Sequence, residues 1–556
     1  MANDPDYTAL RDAVSGAGMW AHLEVFDRHS KEAGSPGERE SLAHIERAFA
    51  RYGFKTQTIL HDAYISLPGK ACVMIGNVTL PCITHSFSRS TQGLTAEVVD
   101  LGAGDEVAFA AQDVRGKIVI IDSLANPVMS RRASRAGAAG QLHVSPHEYR
   151  HEMCISPVWG SPGEEALPNL PSTVVVTVAL ADGMAVRERL AVDPALQMTL
   201  QAEVDTGWRP TPILIADLPS LDGQDDEPFI FFTGHHDAWY KGTMDNGGAN
   251  ATMMEVSRLC ATMRHRWKRG LRVAVWSGHS QGRYSSSAWY ADAHWEELER
   301  RALVHVNVDS TGGLGNTLID TGSAIELRGL ASESILRESD EGYHLRRVGR
   351  AGDESFWGIG VPAMYGNMSA QPPKPGSKQG AHGTGWWWHT AHDRIDKMDS
   401  DLLIRDTRIY LHSIWRLLTD EVLPLDFADH ARALATELSA LQGALDLSVL
   451  IARAETLAAR CDALVALPDA ARNDALKALS RILVPMDYTE GDRFRPDPAT
   501  PQATYPALQP LRRLAKLAPG TDAARFLEVD MIRARNRIGF AVAQAIAAAD
   551  AALAAK

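Results

Sequence analysis

The sequence predicts an α/β protein built on a mostly parallel, helix-covered sheet, and three observations carry this prediction. Short apolar runs typical of buried strands alternate with helical patterns over the middle of the chain. Acidic and imidazole side chains follow several of these strands, as they do at the active edges of open α/β sheets. After residue 423 the composition becomes Ala- and Leu-rich, which predicts a separate helical domain.

Length and composition limit the class of protein. At 556 residues, with 45% hydrophobic and 22% charged residues, the chain is too long for one core, and two to three domains are expected. A net charge of -13 and the lack of basic stripes with interleaved aromatic residues exclude nucleic acid as an expected partner. The amino terminus is acidic and lacks an apolar segment, and we expect no later stretch to span a bilayer, which predicts a cytoplasmic protein without membrane contact.

Changes in local composition predict three parts. Residues 1–63 and 206–423 show the strand and helix patterns of one α/β domain. Residues 64–205 hold short β-rich runs broken by Gly and Pro, which predicts an inserted domain. Residues 424–556 are predicted to form the helical domain, with a Pro-rich interruption at 485–510.

The α/β domain is expected to contain five strands and a helix between the second and third of them. The helix is predicted at 248–263, where Met253, Val256, Cys260 and Met263 share one face. Strands that alternate with helices imply parallel pairing, because each crossover must return the chain to the same edge of the sheet. The strands are predicted at residues 212–216, 229–233, 271–276, 303–308 and 361–365.

The strand at 229–233 leads into the segment on which the functional prediction rests. This run is too continuously apolar for a half-exposed strand, so it should be buried within the sheet and end at Gly234 on the carboxyl edge. The loop that follows holds His235, Asp237 and Asp245, a set of ligands that zinc, manganese or iron accepts. Taken alone, a His-x-Asp triplet also fits an ordinary polar loop.

Other predicted strand exits supply more groups of the same kind. Asp309 follows the strand at 303–308, Asp353 precedes the strand at 361–365, and His389 lies in a loop after three tryptophans. Singly, Asp309 fits a helix or turn cap and His389 fits a packed core histidine. Because they follow or precede successive strands, we expect them to form one metal site. Trp388 beside His389 indicates an aromatic wall for a flat or apolar ligand, although a packed loop explains it equally well.

Together these motifs resemble the zinc-dependent aminopeptidases, and more closely the branch that holds glutamate carboxypeptidase II and the transferrin receptor. The residues that carry the resemblance are GHHDAW at 234–239 with Asp245 ten positions after His235, VNVDS at 306–310 and HTAHD at 389–393. The resemblance implies the zinc aminopeptidase fold, with a protease-associated domain as the insert and a dimerisation domain as the carboxyl-terminal helices. A homodimer is therefore expected.

Carried over by position, the resemblance implies a role for each site residue. Asp245 would be the bridging carboxylate of a two-metal site, His235 and Asp309 would complete the shell of one metal, and His389 would hold the other. Asp237 would orient His235 from the second shell. The implied cofactor is one or two divalent transition metal ions, zinc first and iron or manganese as alternatives, which would activate a water and polarise a scissile carbonyl.

One departure from the family pattern is central. After the strand at 271–276 the family has a Glu-Glu pair, the first as general base and the second as metal ligand, whereas this chain has His279 and Ser280. An imidazole can replace the base or act as a nitrogen ligand, and a solvent-facing loop residue is the third alternative. We therefore predict a metal-dependent hydrolase of an amide-like bond in a peptide or small molecule, with an altered general base and with Asp353 and Trp388 in contact with substrate.

Two other functions stay open. Residues 278–282 spell GHSQG, the G-x-S-x-G nucleophile elbow, which would make Ser280 the nucleophile of a serine hydrolase with Asp309 or Asp353 and then His389 or His392 as partners. No HGGG-type oxyanion segment precedes this motif. The other alternative is a non-catalytic binding protein, as in the receptor branch, although four of the five ligand positions are intact.

Overall fold

The chain begins with three helices that pack beside the α/β sheet. A computed structural model describes residues 4–224, 226–373, 383–443, 445–514 and 516–555. The hydroxyl of Ser35 caps the third helix by accepting a hydrogen bond from the Glu38 backbone at 3.2 Å, and Pro36 occupies the first helical position. The three helices are α1 Pro5–Asp12, α2 Gly16–Phe26 and α3 Pro36–Arg51.

The segment predicted as an insert has its own strands, helices and apolar core. Its central strands β3, β4, β5 and β6 run parallel, and buried Val, Ile and Leu side chains separate them from the helices. Its elements are β1 Lys55–Ile75, β2 Val78–Thr84, β3 Thr91–Asp100, α4 Glu106–Ala111, β4 Ile118–Ile121, α5 Pro127–Ala136, β5 Gly140–Val144, β6 Val174–Val178, α6 Leu180–Val192 and β7 Gln197–Leu218. The likeness of this segment to a protease-associated domain stays a prediction.

The remaining α/β elements confirm the predicted fold class. Their strands and helices alternate, as the sequence indicates, and the fully buried β8 extends two residues beyond its predicted end. They are β8 Phe229–His235, α7 Ala249–Thr262, β9 Gly270–Trp276, α8 Ser285–Ala293, α9 Trp295–Arg301, β10 Ala302–Asp309, β11 Leu318–Ile319, α10 Arg328–Ser339, β12 Ala363–Asn367, β13 Ser369–Ala370 and α11 Ser400–Thr419.

The last part of the chain is helical. Its helices are α12 Phe427–Leu441, α13 Ser448–Ala463, α14 Asp469–Tyr488, α15 Gln509–Leu514 and α16 Asp522–Ala554. The Pro-rich interruption predicted at 485–510 corresponds to the connection between α14 and α15. The helix α16 packs against α13, α14 and α15.

Eleven strands form one continuous sheet. Their order is β1-β2-β6-β5-β4-β3-β7-β9-β8-β10-β12. The strands β9, β8, β10 and β12 are parallel, with His235 opposite Trp276 and Thr233 opposite Asn307. The carboxyl ends of β8, β9 and β10 therefore lie side by side, which brings together the loops that carry the predicted site residues.

Both faces of the α/β sheet are covered by apolar side chains. On one face Ile230 and Phe232 belong to the core shared with α7 and α11. On the other face Phe231 and Trp276 pack with Tyr290. Since successive strand residues point to opposite faces, this double burial explains why β8 is apolar at every position rather than at alternate ones.

The strand β7 is much longer than its prediction. The strand predicted at 212–216 is the last part of β7, which has 22 residues and pairs along its length with β1. Its other edge pairs with β3 up to Ala202 and with β9 from Leu214. Pro210 and Pro212 therefore lie where that second edge is open. The predicted domain boundaries at 63 and 205 stay predictions, and β1 and β7 cross them without a break.

The helix α16 corrects the expectation that no segment is long and apolar enough to cross a membrane. It has 33 residues and meets that criterion by length and composition, with 22% of its most apolar window buried. Leu527, Met531 and Ile538 are among its buried side chains. The core helix of a soluble protein meets the same criterion, so this property alone does not indicate a membrane.

Candidate metal centre

His235, the last residue of β8, faces two carboxylates. Its Nε2 lies 3.3 Å from Oδ1 of Asp245 and 3.8 Å from Oδ1 of Asp309. On the opposite side of the ring, Nδ1 donates a hydrogen bond of 2.8 Å to the backbone carbonyl of Asp237. Because that carbonyl can only accept, Nδ1 carries the proton and Nε2 keeps the lone pair that a metal would use.

Asp245 occupies the centre of the site. Its Oδ1 faces His235, and its Oδ2 lies 3.0 Å from Nε2 of His389. The loop that carries it is fixed by Asp393, whose carboxylate accepts hydrogen bonds from the backbone of Met244 at 2.8 Å and of Asp245 at 3.1 Å. The carboxylate of Asp245 therefore has one histidine on each side, as a bridging ligand would.

Asn246 ties the neighbouring strand exits together. Its side-chain amide donates to the carbonyls of His235 and Val308, both at 3.2 Å, and its Oδ1 accepts from the backbone of Ser310 at 2.9 Å. Asn246 and Asp393 are positioning residues that sequence reasoning misses. The only signal for either is adjacency to a predicted ligand, Asn246 directly after Asp245 and Asp393 in the HTAHD motif.

His279 lies over His235. The two rings are stacked at 3.7 Å between centroids and 10° between planes. Its Nδ1 is 2.8 Å from Oδ2 of the buried Asp353, which leaves Nε2 as the nitrogen available to a ligand. One ligand atom from each of His235, His279 and Asp309 lies within 4.8 Å of the others. The residue that replaces the family glutamate thus lies within the same cluster as the strand-end ligands.

Asp237 supports both histidines, in a way that differs from the expectation. The family pattern implies that its side chain orients His235, but Oδ1 is 3.9 Å from Nδ1, and the backbone carbonyl makes the contact instead. The carboxylate accepts hydrogen bonds from the backbones of His279 at 3.1 Å and Ser280 at 2.8 Å. Asp237 therefore fixes the loop after β9 as well as the ring of His235.

The residues predicted to contact substrate lie behind the histidines. Asp353 is almost fully buried and is shared between His279 and the hydroxyl of Ser287, which donates at 2.8 Å. Trp388 is buried and its ring stacks on His389 at 3.5 Å between centroids. In this arrangement both side chains support a histidine ring rather than line an open surface.

The segment around Ser280 lacks the geometry of a nucleophile elbow. An elbow places its serine on a sharp, strained turn directly between strand and helix. Here β9 ends at Trp276 and α8 begins at Ser285, and the positive φ angles between them fall on Gly278, Arg283 and Tyr284 rather than on Ser280. The hydroxyl that reaches Asp353 belongs to Ser287.

The charges of the site favour a cation. Burial acts to raise the pKa of Asp245, but the adjacent imidazoles of His235 and His389 hold it well below its usual value. Burial acts to lower the pKa of His235, yet Asp245 and Asp309 raise it well above its usual value, so without a metal they favour a proton in the place that a metal ion would take. Nε2 of His235 and Oδ1 of Asp245 are buried and have no hydrogen-bond partner among the described residues. Two lone-pair donors facing each other in a negative pocket fit a divalent metal ion.

Part of the α/β domain is similar in sequence to a known peptidase family. Residues 214–414, which contain all of these ligand candidates, match the model of peptidase family M28. The predicted likeness to zinc-dependent aminopeptidases is thereby confirmed, and the departure at His279 and Ser280 lies inside the matched segment.

Curated relatives of this chain carry carboxypeptidase names. Carboxypeptidase Q of Homo sapiens is 27% identical over 243 residues, which are 41% of this chain and 50% of the relative. The chain thus spans about half the length of the carboxypeptidase Q relatives that it matches. A probable glutamate carboxypeptidase of Arabidopsis thaliana, AMP1, is 21% identical over 525 residues, or 76% of this chain and 72% of the relative.

Solved structures share the fold. An aminopeptidase from Aneurinibacillus sp. strain AM-1 aligns with a TM-score of 0.55 at 19% identity, covering 74% of this chain and 96% of that one. The zinc aminopeptidase BSAP from Bacillus subtilis aligns with a TM-score of 0.55 at 18% identity, covering 73% and 96%. At this level of identity these alignments establish the zinc aminopeptidase type of fold and nothing further about chemistry.

Proposed function

We propose that the α/β domain, which contains the segment 214–414 similar to peptidase family M28, hydrolyses an amide-like bond in a peptide or a small molecule, with a divalent metal as cofactor. The observation that carries the proposal is the convergence of His235, His279, Asp245 and Asp309 at the adjoining ends of β8, β9 and β10. The peptidase names of the family and of its relatives support an amide bond as the target.

The ligands divide into two groups around Asp245. His235, Asp309 and His279 would hold one ion with Oδ1 of Asp245, and His389 would hold a second with Oδ2. Imidazole nitrogens mixed with carboxylate oxygens suit zinc, with iron or manganese as alternatives. The first group has four donors and the second has two, so we propose one tightly held ion and, at most, a weaker second one.

The chain's own residues determine which ring nitrogen of each histidine carries the proton. When bound, the metal supplies Lewis-acid activation of a water molecule and of the scissile carbonyl. The Asp237 carbonyl holds His235, and Asp353 holds His279, each in the tautomer whose Nε2 keeps its lone pair. We assign His279 as a ligand because Ser280 offers no carboxylate in place of the family's second glutamate. Action of His279 as general base is the alternative.

We also propose a homodimer formed through the helical domain. Phe526, Val529 and Phe540 of α16 are exposed and share one face, and Val449 of α13 is exposed as well. Apolar side chains grouped on one surface indicate a protein partner. A cytoplasmic location stays a prediction from the amino-terminal sequence.

Metal analysis combined with an amine-release assay tests the proposed function. The purified protein should contain a transition metal by elemental mass spectrometry and release amine from members of a panel of dipeptides and N-acyl amino acids. Asp245→Asn, which weakens both ligand groups, should lose metal and turnover while keeping its fold. A full metal content with no amine released across the panel would favour the binding-protein alternative, and turnover without metal would favour the serine hydrolase.

A further inference from the structure

One turn of the inserted segment reaches the loop that carries His389. We propose, on the basis of the proposed function, that Glu152 is a positioning residue for His389, so that the inserted segment completes the metal centre. Glu152 precedes His389 by 237 positions, and the two residues lie against each other. The proposal follows from three sets of contacts.

The first set is a pair of hydrogen bonds between the two backbones and the ring. The backbone N–H of Glu152 donates to the carbonyl of His389 at 3.0 Å. In return, Nδ1 of His389 donates to the carbonyl of Glu152 at 2.6 Å. Because a carbonyl can only accept, the proton of His389 is held on Nδ1, and Nε2 faces Oδ2 of Asp245 at 3.0 Å. Metal-ligating histidines are commonly oriented by such an acceptor.

The second set anchors the side chain of Glu152. Its Oε1 accepts a hydrogen bond of 2.9 Å from the hydroxyl of Tyr240. Tyr240 lies in the loop between His235 and Asp245, which carries two of the other ligands. Glu152 therefore contacts both loops that carry ligands. Its backbone binds the loop of His389, and its carboxylate binds the loop that carries Tyr240.

The third set keeps this contact in register. Nδ1 of His151 donates to the carbonyl of Trp388 at 2.5 Å, and the ring of Tyr149 stacks on Trp386 at 4.1 Å between centroids. Trp388 in turn stacks on His389. The inserted segment thus contacts Trp386, Trp388 and His389, and its contact with His389 is to a ring nitrogen of the proposed ligand.

The burial of Glu152 makes its anchor important. The residue is buried, and Oε2 has no hydrogen-bond partner among the described residues. Without the Tyr240 hydroxyl, the carboxylate would be buried with neither oxygen paired, and the segment would shift to solvate it. A shift of the Glu152 carbonyl would move the acceptor of His389, and with it the direction of Nε2.

Zinc affinity measured on the metal-free full-length chain tests the inference. By competition with a chromophoric chelator, Glu152→Ala should weaken binding of the second zinc ion, the one that His389 would hold, by about ten- to a hundredfold, the loss typical of a partner that orients a metal ligand. Tyr240→Phe, which removes one oxygen and leaves little cavity, should weaken it in the same direction. Glu152→Gln keeps an oxygen for Tyr240 and should restore near-normal affinity. The exposed Glu148, in the same segment, provides the matched control Glu148→Ala, which should bind zinc like the wild type.

A His389→Ala background separates positioning from general stability. If Glu152 acts through His389, Glu152→Ala and Tyr240→Phe should have no further effect on zinc affinity in that background. Unchanged affinity in both single variants, or an equal loss with and without His389, would overturn the inference. Should Glu152→Ala not fold, Tyr240→Phe carries the same comparison. Wild-type protein that binds a single zinc ion, or His389→Ala that binds two like the wild type, would overturn this inference alone, and wild-type protein that binds no zinc would overturn the proposed function with it.

Discussion

The imidazole rings of His235 and His279 lie parallel, 3.7 Å apart between centroids. Each has its Nδ1 engaged, one by the Asp237 carbonyl and the other by the Asp353 carboxylate. Two imidazolium rings at this distance would repel each other strongly in a buried site. With a metal ion in place of a proton, the stack would suit two neutral rings that direct their remaining nitrogens to one shared cation. Replacing a glutamate by His279 thus lowers the negative charge of the site while keeping a donor in place.

The first prediction is that His279→Ala loses metal as well as turnover. Asp353→Asn, which removes the group that orients His279, should weaken zinc affinity by about ten- to a hundredfold. His279→Ala removes the ligand itself and should weaken zinc affinity by at least as much. Elemental analysis after dialysis against a chelator gives the metal content, and the amine-release assay gives the turnover. A His279→Ala protein that keeps its metal but not its turnover would identify His279 as the general base instead.

The second prediction concerns Ser280. Ser280→Ala should keep turnover within about threefold of the wild type, because a metal-dependent hydrolase does not use Ser280 as its nucleophile. Loss of a true nucleophile would lower turnover by orders of magnitude. A metal chelator should abolish the activity of the wild type, and a serine-directed covalent inhibitor should leave it intact. Ser287→Ala is a useful comparison, because it removes a hydrogen bond to Asp353 and should lower activity only moderately. Inactivation by the serine reagent, with protection by Ser280→Ala, would restore the elbow hypothesis.

The sequence predicts the core of this site because strand ends are readable from residue types. His235 and Asp309 follow apolar runs, and parallel strands place their carboxyl ends together, so convergence follows from pattern alone. His389 lies in a loop after three tryptophans, so its prediction depends on its grouping with Asp309 and Asp353, and its role as a ligand on the family resemblance. The ring stacking of His279 on His235 depends on how the loop after β9 turns, and residue types do not specify that.

Backbone-mediated contacts are the part that residue types cannot predict. The Glu152 carbonyl holds His389, and the Asp237 carbonyl holds His235, and any residue type offers such a carbonyl. The length of β7 is not predicted for a related reason. A proline interrupts a strand only where its missing N–H is needed for pairing, and Pro210 and Pro212 lie where the second edge of β7 is open. Both failures arise from tertiary context rather than from local preference.

The third prediction is a pH-dependent attachment of the helical domain. His430 of α12 and Glu326, in the turn before α10, are fully buried and lie 2.9 Å apart between Nδ1 and Oε2. Burial acts to lower the pKa of His430, but the hydrogen bond and charge of Glu326 raise it above its usual 6.5. The stabilisation is therefore complete below about pH 6.5 and is lost as the pH rises through the raised value in the folded protein.

Denaturant unfolding at several pH values tests this pair. Glu326→Gln should lower the free energy of unfolding most below pH 6.5, where breaking a buried pair costs about 3–5 kcal/mol. The difference from the wild type should shrink towards pH 9, because His430 is then neutral in both proteins. Glu148→Gln, on an exposed carboxylate, should follow the wild-type pH dependence. A constant difference at every pH would mean that His430 does not titrate.

The fourth prediction concerns the proposed homodimer. On α16 the exposed fractions are 75% for Phe526 and 66% for Phe540, and the two rings share one helix face with Val529. Phe540→Glu should weaken self-association by about thirtyfold or more, the loss expected for a central aromatic residue. Light scattering at micromolar concentration measures this, and Val107→Glu, on the 74% exposed Val107 of the inserted segment, is the matched control that should stay dimeric. A wild-type monomer with a helical circular dichroism spectrum, or a Phe540→Glu dimer of unchanged affinity, would show that this face does not form the interface.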